Sequence, residues 1–440
     1  MILLDTALDA RAAAGQPVQV AMFGAGYMGR GVSSQILRHV PGLRLAVICN
    51  RSLEKAAGCY TATGINPSAI REVHTPAELD DAISAGMYAV TTDPAVAAAA
   101  SLIDVTLEAT GHVAYGARVT LLSIEHRKPM VSMNAELDAT CGAILKHMAD
   151  EAGIILAGAD GDQPVVQMNL VRYVRGLGLK PLICGNIKGL QDRYRTPATQ
   201  AAFAKQWGQT PEMVTSFADG TKISFEQAMT ANSTGMTIAR RGMIGLEHRG
   251  HVDELVTAYD LDEVRALGGI VDYVVGSQPN PGIFVFAEAG DDTQKIYLDY
   301  GKLGQGPVYS FYTAWHLTAL EVHNSIGRVS LFGDIPIAPI GAPRVEVVAT
   351  AKRDLKAGET LDGIGGFMTY GVCETAEIMK AENLVPMGIA EGCVLTRDVP
   401  KDAVLTTADI SVPKDSVVHD LRARQDAHFK TLQAQNEAVA

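Results

Sequence analysis

A glycine-rich turn near the start of the chain constrains the fold more than any other segment. Residues 18–23 form a short apolar run, and Gly24, Gly26 and Gly29 follow it in a G-x-G-x-x-G spacing. In a dinucleotide site the first glycine allows the tight turn, the second lets the backbone approach a pyrophosphate, and the third lets the helix pack against the strand. The N–H groups at the start of that helix face the phosphates. The pattern predicts a dinucleotide site formed by Gly24, Ala25, Gly26, Tyr27, Met28 and Gly29.

The end of the second apolar run, residues 43–49, indicates which dinucleotide is bound. Asn50, Arg51 and Ser52 follow this run, about 20 residues after the last glycine, where NAD-binding chains place an Asp or Glu on the ribose 2′-hydroxyl. No carboxylate stands there, whereas a guanidinium can hold a 2′-phosphate through two hydrogen bonds. The sequence therefore predicts NADP(H), and the alternative is that Arg51 is a solvated loop residue.

Polar residues also follow the later apolar runs of the first 160 residues. These runs, at residues 102–108, 130–133 and 154–157, alternate with helical stretches, which is typical of a doubly wound parallel sheet. Ligands bind beyond the carboxyl ends of the strands in such sheets. Each polar residue at these ends is either an ordinary turn residue or part of the cofactor site. The residues concerned are Thr110, Gly111, Asn134 and Glu136.

Size and composition exclude several classes of protein. A single core stops growing near about 250–300 residues, so a chain of 440 residues predicts two or three domains. The formal net charge of −12 disfavours binding to nucleic acid or to a membrane surface, and a phosphate-bearing substrate would need a local basic pocket. The six cysteines form no C-x-x-C pair, so neither a zinc site nor a disulfide framework is predicted.

The N-terminal sequence lacks the pattern of a secretion signal. Asp5 and Asp9 interrupt its Leu/Ala stretch, and a signal peptide needs a basic start and an uninterrupted apolar core. No apolar run reaches the roughly 18 residues of a transmembrane helix. We therefore expect a cytoplasmic protein.

Changes in sequence character predict three domains, with bounds at residues 1–158, 159–335 and 336–440. Residues 158–164 are polar and turn-like, and the following segment from residue 171 to 195 is basic. Residues 196–230 are predicted to be helical, residues 297–304 and 307–312 to continue a sheet, and residues 315–327 to form a helix. Residues 354–361 are echoed by residues 398–405, which predicts two strand–turn–strand elements. The charged tail from residue 416 is predicted to be a helix that frays.

The residues of the first domain resemble the nucleotide domain of homoserine dehydrogenases. The resemblance rests on the glycine turn, on residues 108–111 (Glu-Ala-Thr-Gly), and on residues 128–131 (Lys-Pro-Met-Val) leading to Asn134. Homoserine dehydrogenases usually carry a lysine directly after that asparagine, where this chain has Ala135. The absence of this lysine disfavours homoserine as the substrate.

Across the whole chain, the sequence resembles the 1-deoxy-D-xylulose 5-phosphate reductoisomerase-like (DRL) family. Residues 354–361 are similar to the SAF domain, a β-clip module, and complete the three-part arrangement. The resemblance implies a Rossmann-type α/β domain, an α+β catalytic and dimerisation domain, and a small β-rich SAF-like domain. It also implies a homodimeric NADPH enzyme that converts 1-deoxy-D-xylulose 5-phosphate to 2-C-methyl-D-erythritol 4-phosphate in isoprenoid precursor synthesis.

The implied reaction requires activation of carbonyl and hydroxyl oxygens, commonly by Mg²⁺ or Mn²⁺ held by carboxylates. Asp160 and Asp162 are the candidates for metal ligands and catalytic carboxylates, because they are two residues apart in a glycine-flanked loop at the first domain boundary. Glu226 is a weaker third ligand. The alternative is that the aspartates cap the helix that begins near Pro164.

The reaction also requires a cationic grip on phosphate and a group that transfers protons. Lys188 is the strongest candidate, because it follows an apolar run, adjoins Gly189 and is poised to enter a cleft. Asn232 and Ser233 precede a predicted helix that runs through Arg240. The side chains and the N–H groups at the start of this helix are suited to phosphate. The alternative is that Asn232 or Ser233 is an ordinary helix cap. Further candidates are Lys302, Tyr309 and His316, although a lone histidine beside a tryptophan is more often structural.

Two other functions fit the same residues. One is an NADP-dependent dehydrogenase or reductase of another polyol, aldehyde or sugar acid without a phosphate. The other is a sensor that binds NADP(H) without turnover. The first is distinguished by activity on unphosphorylated substrates, and the second by cofactor binding without any activity.

Overall fold

The first part of the chain folds around a seven-stranded sheet in which all strand pairs are parallel. The computed structural model describes residues 3–439. Strand order is β3-β4-β2-β1-β5-β6-β7, and the helices between strands cover both faces of the sheet. The elements are α1 Leu4–Ala13, β1 Val18–Phe23, α2 Tyr27–His39, β2 Leu43–Cys49, α3 Leu53–Thr61, β3 Ile70–Glu72, α4 Pro76–Ser84, β4 Tyr88–Thr91, α5 Pro94–Ala99, β5 Val105–Glu108, α6 Val113–Glu125, β6 Met130–Ser132, α7 Ala135–Ala152 and β7 Leu156–Gly158.

This topology confirms the predicted fold class, a Rossmann-type doubly wound sheet. Strand β1 lies between β2 and β5, so the strand order reverses beside it. The carboxyl ends of β1, β2, β5 and β6 therefore border one crevice, which is where ligands bind in open α/β sheets. Strands β3 and β4 were not predicted from the sequence, because three and four residues are too few to show a clear periodicity.

The second part of the chain contains a five-stranded mixed sheet with strand order β12-β11-β8-β10-β9. Its central strand β8 pairs in parallel with β10 and antiparallel with β11. Its elements are α8 Gln163–Gly176, β8 Lys180–Lys188, α9 Pro197–Trp207, α10 Pro211–Asp219, α11 Thr221–Thr234, β9 Leu246–Glu247, α12 Leu261–Ala266, β10 Ile270–Val275, β11 Gly282–Glu288, α13 Asp292–Tyr300, β12 Val308–Thr313 and α14 Thr318–Phe332.

Two predictions for this part are wrong. Residues 297–304 do not continue the sheet, because Asp291 caps α13 by accepting a hydrogen bond from the Gln294 backbone and so starts a helix. Asn232 and Ser233 do not precede a helix. They lie in the last turn of α11, which ends at Gly235 in the left-handed conformation that glycine adopts readily.

Helix α11 is the central element of the molecule. Every residue of α11 except Lys222 is buried. It packs against α7 of the first part, against α8, α10 and β10 of the second, and against two strands of the C-terminal part. Because the only charged residues on it are Lys222 and Glu226, their partners must come from these surrounding elements.

The C-terminal part is built from short antiparallel pairs. Strand β13 pairs with β14 and β15 pairs with β16. The two echoing segments meet through a bridge that joins Leu355 to Val399, and Thr360 forms another bridge with Val394, which precedes the second segment. The elements are β13 Val345–Ala351, β14 Thr369–Thr375, α15 Ala376–Ala381, β15 Val394–Leu395, β16 Ile410–Ser411 and α16 Val417–Val439.

The prediction that the tail frays is wrong for the first half of α16. Val418, Leu421 and Gln425 are buried against the first part of the chain, and α16 packs on α6 and α7. The Arg422 guanidinium pairs with Glu346 of β13, with Nη2 and Oε1 2.9 Å apart. Helix α16 thus ties the first part of the chain to the C-terminal part.

Helix α14 also returns to the first sheet. Its buried residues Val322 and Ile326 join the core of that sheet, and the helix packs against α2. The elements are therefore interleaved in space, although they follow one another along the chain. In the described part of the chain, none of the helices has the length and apolar character needed to cross a membrane.

Candidate active site

The glycine turn between β1 and α2 has the shape of a phosphate cradle. Gly24 has a φ of 109°, and a Cβ on Gly29 would lie 2.5 Å from the Gly24 carbonyl oxygen. A Cβ on Gly26 would meet nothing within 4 Å, so the space above this residue is open. Tyr27 and Met28 form the first turn of α2, whose free N–H groups and positive end of the helix dipole face anions. The residues present fit a dinucleotide pyrophosphate.

The end of β2 lies beside this cradle. Asn50 Oδ1 accepts a hydrogen bond from the Ala25 backbone at 3.2 Å, and Asn50 Nδ2 donates one to the Ser52 carbonyl at 2.9 Å. Ser52 Oγ caps α3 by accepting a hydrogen bond from the Lys55 backbone. Arg51 is exposed, and its guanidinium pairs with no side chain within residues 3–433. It is therefore free to bind a ligand, and its role in choosing NADP(H) stays a prediction.

Glu108 ends β5 with a buried carboxyl group. Its Oε1 accepts hydrogen bonds from the backbone and the hydroxyl of Thr110, and burial raises the pKa of the group. Its Oε2 is buried and has no hydrogen-bond partner among the described residues. Asn134 caps α7 and donates to the His112 carbonyl at 3.4 Å. A Cβ added to Gly111 would lie 3.3 Å from Met213 Cε of α10. The second part of the chain therefore reaches the carboxyl edge of the first sheet.

A buried chain of alternating charges joins the first sheet to α11. Lys222 Nζ lies 3.0 and 3.1 Å from the two carboxylate oxygens of Glu136, in the first turn of α7, and 4.0 Å from Glu226 Oε1. Burial lowers the pKa of Lys222, but Glu136, Asp162 and Glu226 outweigh burial and raise the pKa above its usual value. Lys222 is therefore a permanent cation at the carboxyl edge of the sheet.

Lys188 faces the same helix from the end of β8. Its Nζ donates a hydrogen bond to the Phe217 carbonyl at 2.8 Å. Asn186 lies on the same face of β8, and its Nδ2 is 3.5 Å from Glu226 Oε2. Burial lowers the pKa of Lys188 to about 8, against the attraction of Glu226 and Asp219. Burial raises the pKa of Glu226 to about 8, although Lys222 opposes this rise. Burial thus brings the pKa values of both groups close to neutral pH.

Asp162 and His316 complete the cluster. Asp162 is the N-cap residue directly before α8, but its side chain makes no capping hydrogen bond. Its charge acts on Lys222, Glu226 and His316. His316 Nε2 lies 3.1 Å from Gln163 Nε2. Burial lowers the pKa of His316, so the imidazole is mostly neutral at neutral pH. The structure thus brings together Lys188, Asp162, His316 and Glu136 from the sequence prediction.

Asp160 is excluded from this cluster by its own partners. Arg328 Nη1 lies 3.1 Å from both of its carboxylate oxygens, Ser325 donates to it at 2.8 Å, and Asn169 donates at 2.6 Å. Within the described ranges, no group of three or more His, Cys, Asp or Glu side chains could hold a metal ion. Arg328 therefore neutralises one of the two carboxylates of the predicted Asp160–Asp162 metal site, and that site stays a prediction.

The other sequence candidates also lie apart from the cluster. Asn232 Oδ1 accepts from the backbone of Arg344 and Val345, so its side chain fixes the start of β13. Ser233 follows Asn232 at the far end of α11, roughly 10 Å along the axis from Glu226. Arg240 donates to the backbone carbonyls of residues 243 and 244, and Lys302 is exposed beyond α13. Tyr309 donates to Asp299 at 2.6 Å.

Lys222 is the residue of the cluster that sequence reasoning missed. One signal was present, because Lys222 and Glu226 are four residues apart and share one face of a predicted helix. Such spacing usually marks a solvated surface pair. Only the burial of α11 turns it into part of a site.

One family model matches the chain. Residues 161–322 match the model of the "Oxidoreductase DRL, catalytic domain". These residues include Asp162, Lys188, Lys222, Glu226 and His316, which are most of the cluster. The match supports the prediction of an oxidoreductase, whereas the reductoisomerase step and the choice of NADPH stay predictions. No curated protein matches the sequence of this chain.

Several solved structures share parts of the fold at low similarity. The myo-inositol dehydrogenase from Lactobacillus casei, in complex with NAD(H) and myo-inositol, is 14% identical over 41% of this chain and 49% of its own, with a TM-score of 0.30. An oxidoreductase from Agrobacterium radiobacter, in complex with NAD+, L-tartaric acid and magnesium, is 15% identical over 42% and 48%, with a TM-score of 0.29. GenD2 from gentamicin A biosynthesis, in complex with NAD, is 16% identical over 73% and 89%, with a TM-score of 0.35.

The chain spans about half the length of the first two of these structures. All three TM-scores lie below 0.5. These similarities therefore carry no conclusion about function.

We expect Gly29→Ala to abolish dinucleotide binding, because the new Cβ would collide with the Gly24 carbonyl and displace the cradle. Titration of the purified variant with NADPH, followed by cofactor fluorescence, measures the effect. Gly58→Ala is the matched control, because a Cβ at this α3 position meets nothing within 4 Å. Unchanged NADPH affinity in folded Gly29→Ala would contradict the assignment of this turn.

Proposed function

We propose that this oxidoreductase uses NADPH to reduce the carbonyl group of a small phosphorylated sugar, and that its reaction is the conversion of 1-deoxy-D-xylulose 5-phosphate to 2-C-methyl-D-erythritol 4-phosphate. The observation that carries the proposal is the contact of Lys222 with Glu136. It joins the carboxyl edge of the dinucleotide fold to the buried pair of Lys188 and Glu226. The match of residues 161–322 supports an oxidoreductase, and the choice of substrate rests on the resemblance to the DRL family.

The cluster supplies what reduction of a carbonyl requires from the protein. Bound NADPH supplies the hydride to the carbonyl carbon. Lys188 donates the proton that the developing alkoxide oxygen takes up, and a pKa near the operating pH suits this role. Glu226 holds a counter-charge that favours the protonated form of Lys188. One hydride and one proton convert the carbonyl to an alcohol.

Buried polar atoms around the pair suit a hydroxylated substrate. Asn186 Oδ1 and Gln163 Oε1 are buried without a hydrogen-bond partner among the described residues. Each can accept a hydrogen bond from a substrate hydroxyl, which removes the cost of leaving it unpaired. Lys222, a permanent cation beside them, stabilises negative charge on a substrate oxygen.

The carbon-skeleton rearrangement is assigned to these cations and not to a metal. Because Asp160 is held by Arg328, no step in the proposed reaction uses a divalent ion. Lys188 and Lys222 polarise the carbonyl and the neighbouring oxygen. One carbon–carbon bond to the hydroxyl-bearing carbon breaks as a new one forms to the carbonyl carbon, and the hydroxyl proton passes to the former carbonyl oxygen. We therefore propose that the activity survives chelation of divalent ions.

The remaining parts of the proposal concern organisation. We propose the domains 1–158, 159–335 and 336–440, the last of them SAF-like, in a cytoplasmic homodimer. The exposed apolar residues of α13 support a dimer surface: Ile296, Tyr297 and Tyr300 are 65%, 72% and 83% exposed. Light scattering coupled to size exclusion measures whether the protein is a dimer.

The proposal is tested by incubating the protein with NADPH and 1-deoxy-D-xylulose 5-phosphate, with and without EDTA. We expect NADPH oxidation in both cases and none with unphosphorylated 1-deoxy-D-xylulose. Lys188→Met lowers kcat by about 10²–10⁴-fold, as expected for loss of a general acid. Lys180→Met, at the exposed start of the same strand, is the control, and its kcat stays close to that of the unmodified protein.

Two results overturn the proposal. Turnover of unphosphorylated polyols, aldehydes or sugar acids, with none of the phosphorylated sugar, indicates the alternative dehydrogenase. NADPH binding without turnover across the substrate panel indicates a sensor.

We expect Arg51→Ala to weaken NADPH binding by about 10- to 100-fold, the loss typical of hydrogen bonds to a charged group. Binding of NADH should change by less than about twofold, because it carries no 2′-phosphate. Fluorescence titration with both cofactors measures the two dissociation constants. Arg71→Ala, at an exposed position of β3, is the matched control. Equal losses for both cofactors would remove Arg51 as the basis of the NADPH assignment.

The rate of carbonyl reduction should fall as the pH rises through about 8, because Lys188 then loses the proton that it donates. Glu226 favours the protonated form of Lys188, so Glu226→Gln moves the midpoint of this fall to lower pH. The pH profile of kcat measures the midpoint, and Glu125→Gln, an exposed position on α6, is the control. A midpoint that stays in place or rises in Glu226→Gln refutes the pairing.

A further inference from the structure

A lysine of the C-terminal part lies buried beneath the cluster. Lys352 directly follows β13, and its side chain is 2% exposed. Its Nζ donates to Asp219 Oδ2 at 2.9 Å and to the carbonyls of Arg195 and Gly366, each at 2.8 Å. All three ammonium protons are therefore used, which satisfies a charge that would otherwise be costly to bury.

Asp219 stands where α10 turns into α11. Its Oδ2 takes the bond from Lys352, and its Oδ1 accepts from the Thr221 backbone at 2.9 Å, at the first residue of α11. The side chain of Asp219 is wholly buried. One carboxylate thus connects the C-terminal part to the start of the helix that carries Lys222 and Glu226.

The same turn supplies the acceptor for Lys188. The Phe217 carbonyl that binds Lys188 Nζ lies two residues before Asp219. The charged groups that face Lys188 are Glu226 on α11 and Asp219 at the end of α10. Lys222 in turn faces Glu226, and Lys352 faces Asp219. Position and charge at Lys188 both depend on this turn.

We propose that Lys352 is a positioning residue of the candidate active site, which holds the α10–α11 turn through Asp219 and thereby sets the place and the proton affinity of Lys188. The C-terminal part then completes the site without touching the substrate. The inference rests on the proposed function, since it takes Lys188 to be the group that moves the proton.

The sign of the effect follows from the charges. Burial raises the pKa of Asp219, and Lys352 opposes the rise. Without the lysine, the pKa of Asp219 rises further, which favours the neutral form of the carboxyl group. Lys188 then loses one of the two anions that favour its protonated form, and its pKa falls further.

The experiment measures the proton affinity of Lys188 directly. The full-length protein is labelled with [ε-¹³C]lysine, and the Lys188 signal is assigned by its loss in Lys188→Arg. We expect Lys352→Met and Asp219→Asn each to lower the titration midpoint by about one pH unit, the lower range for loss of a neighbouring opposite charge. The double variant should fall no further, because both changes remove the same charge.

Turnover gives a second readout. A midpoint lowered by about one unit reduces the protonated fraction of Lys188 at pH 8 roughly fivefold, and kcat falls with it while the KM for NADPH stays unchanged. Lys356→Met is the control, because Lys356 is 70% exposed and pairs with Asp398 at the surface.

Each outcome supports or overturns the inference. A folded Lys352→Met protein whose Lys188 midpoint matches that of the unmodified protein overturns it, as does a double variant with additive effects. If Lys352→Met fails to fold, Lys352→Gln takes its place, and if both fail, an unshifted midpoint in Asp219→Asn overturns it. The titration needs no substrate. A lowered midpoint in a protein without turnover therefore refutes the proposed function and leaves the positioning role supported.

Discussion

The burial of two charges on α11 is the constraint on which the rest of the structure depends. Lys222 and Glu226 lie on a helix that other elements cover on nearly all sides. Removing one partner from a buried ion pair costs about 3–5 kcal/mol, so these charges cannot be left without partners. Glu136 comes from the first sheet, and Asn186 and Lys188 come from the mixed sheet. The two sheets are therefore held in one arrangement around the helix.

The desolvation that makes these buried charges costly also shifts the pKa values of Lys188 and Glu226. In water, a lysine and a glutamate differ in pKa by about six units. Burial brings the pKa values of Lys188 and Glu226 to about 8 each, so both groups titrate near neutral pH. Lys222 is kept charged by three carboxylates in the same surroundings. Titratable groups and a fixed cation thus stand side by side at the edge of a dinucleotide fold.

The C-terminal part takes part in this arrangement through buried ions. Lys352 reaches Asp219 at the base of α11, and Arg422 on α16 joins Glu346 of β13 while its helix covers α7. Helix α14 returns in the same way from the second part to the first sheet. Segments that are far apart along the chain therefore pack together around the site.

The sequence by itself determined the local features: the glycine cradle, five of the seven strands of the first sheet and the position of Lys188 at a strand end. Residues next to one another encode these features, through turn chemistry and side-chain periodicity. Only the tertiary structure decided which charges meet. Lys222 and Glu136 are 86 residues apart, and Arg328 removes Asp160 from the site across 168 residues. An ionic side chain carries no local mark of its partner, because burial and geometry select that partner only once the chain has folded.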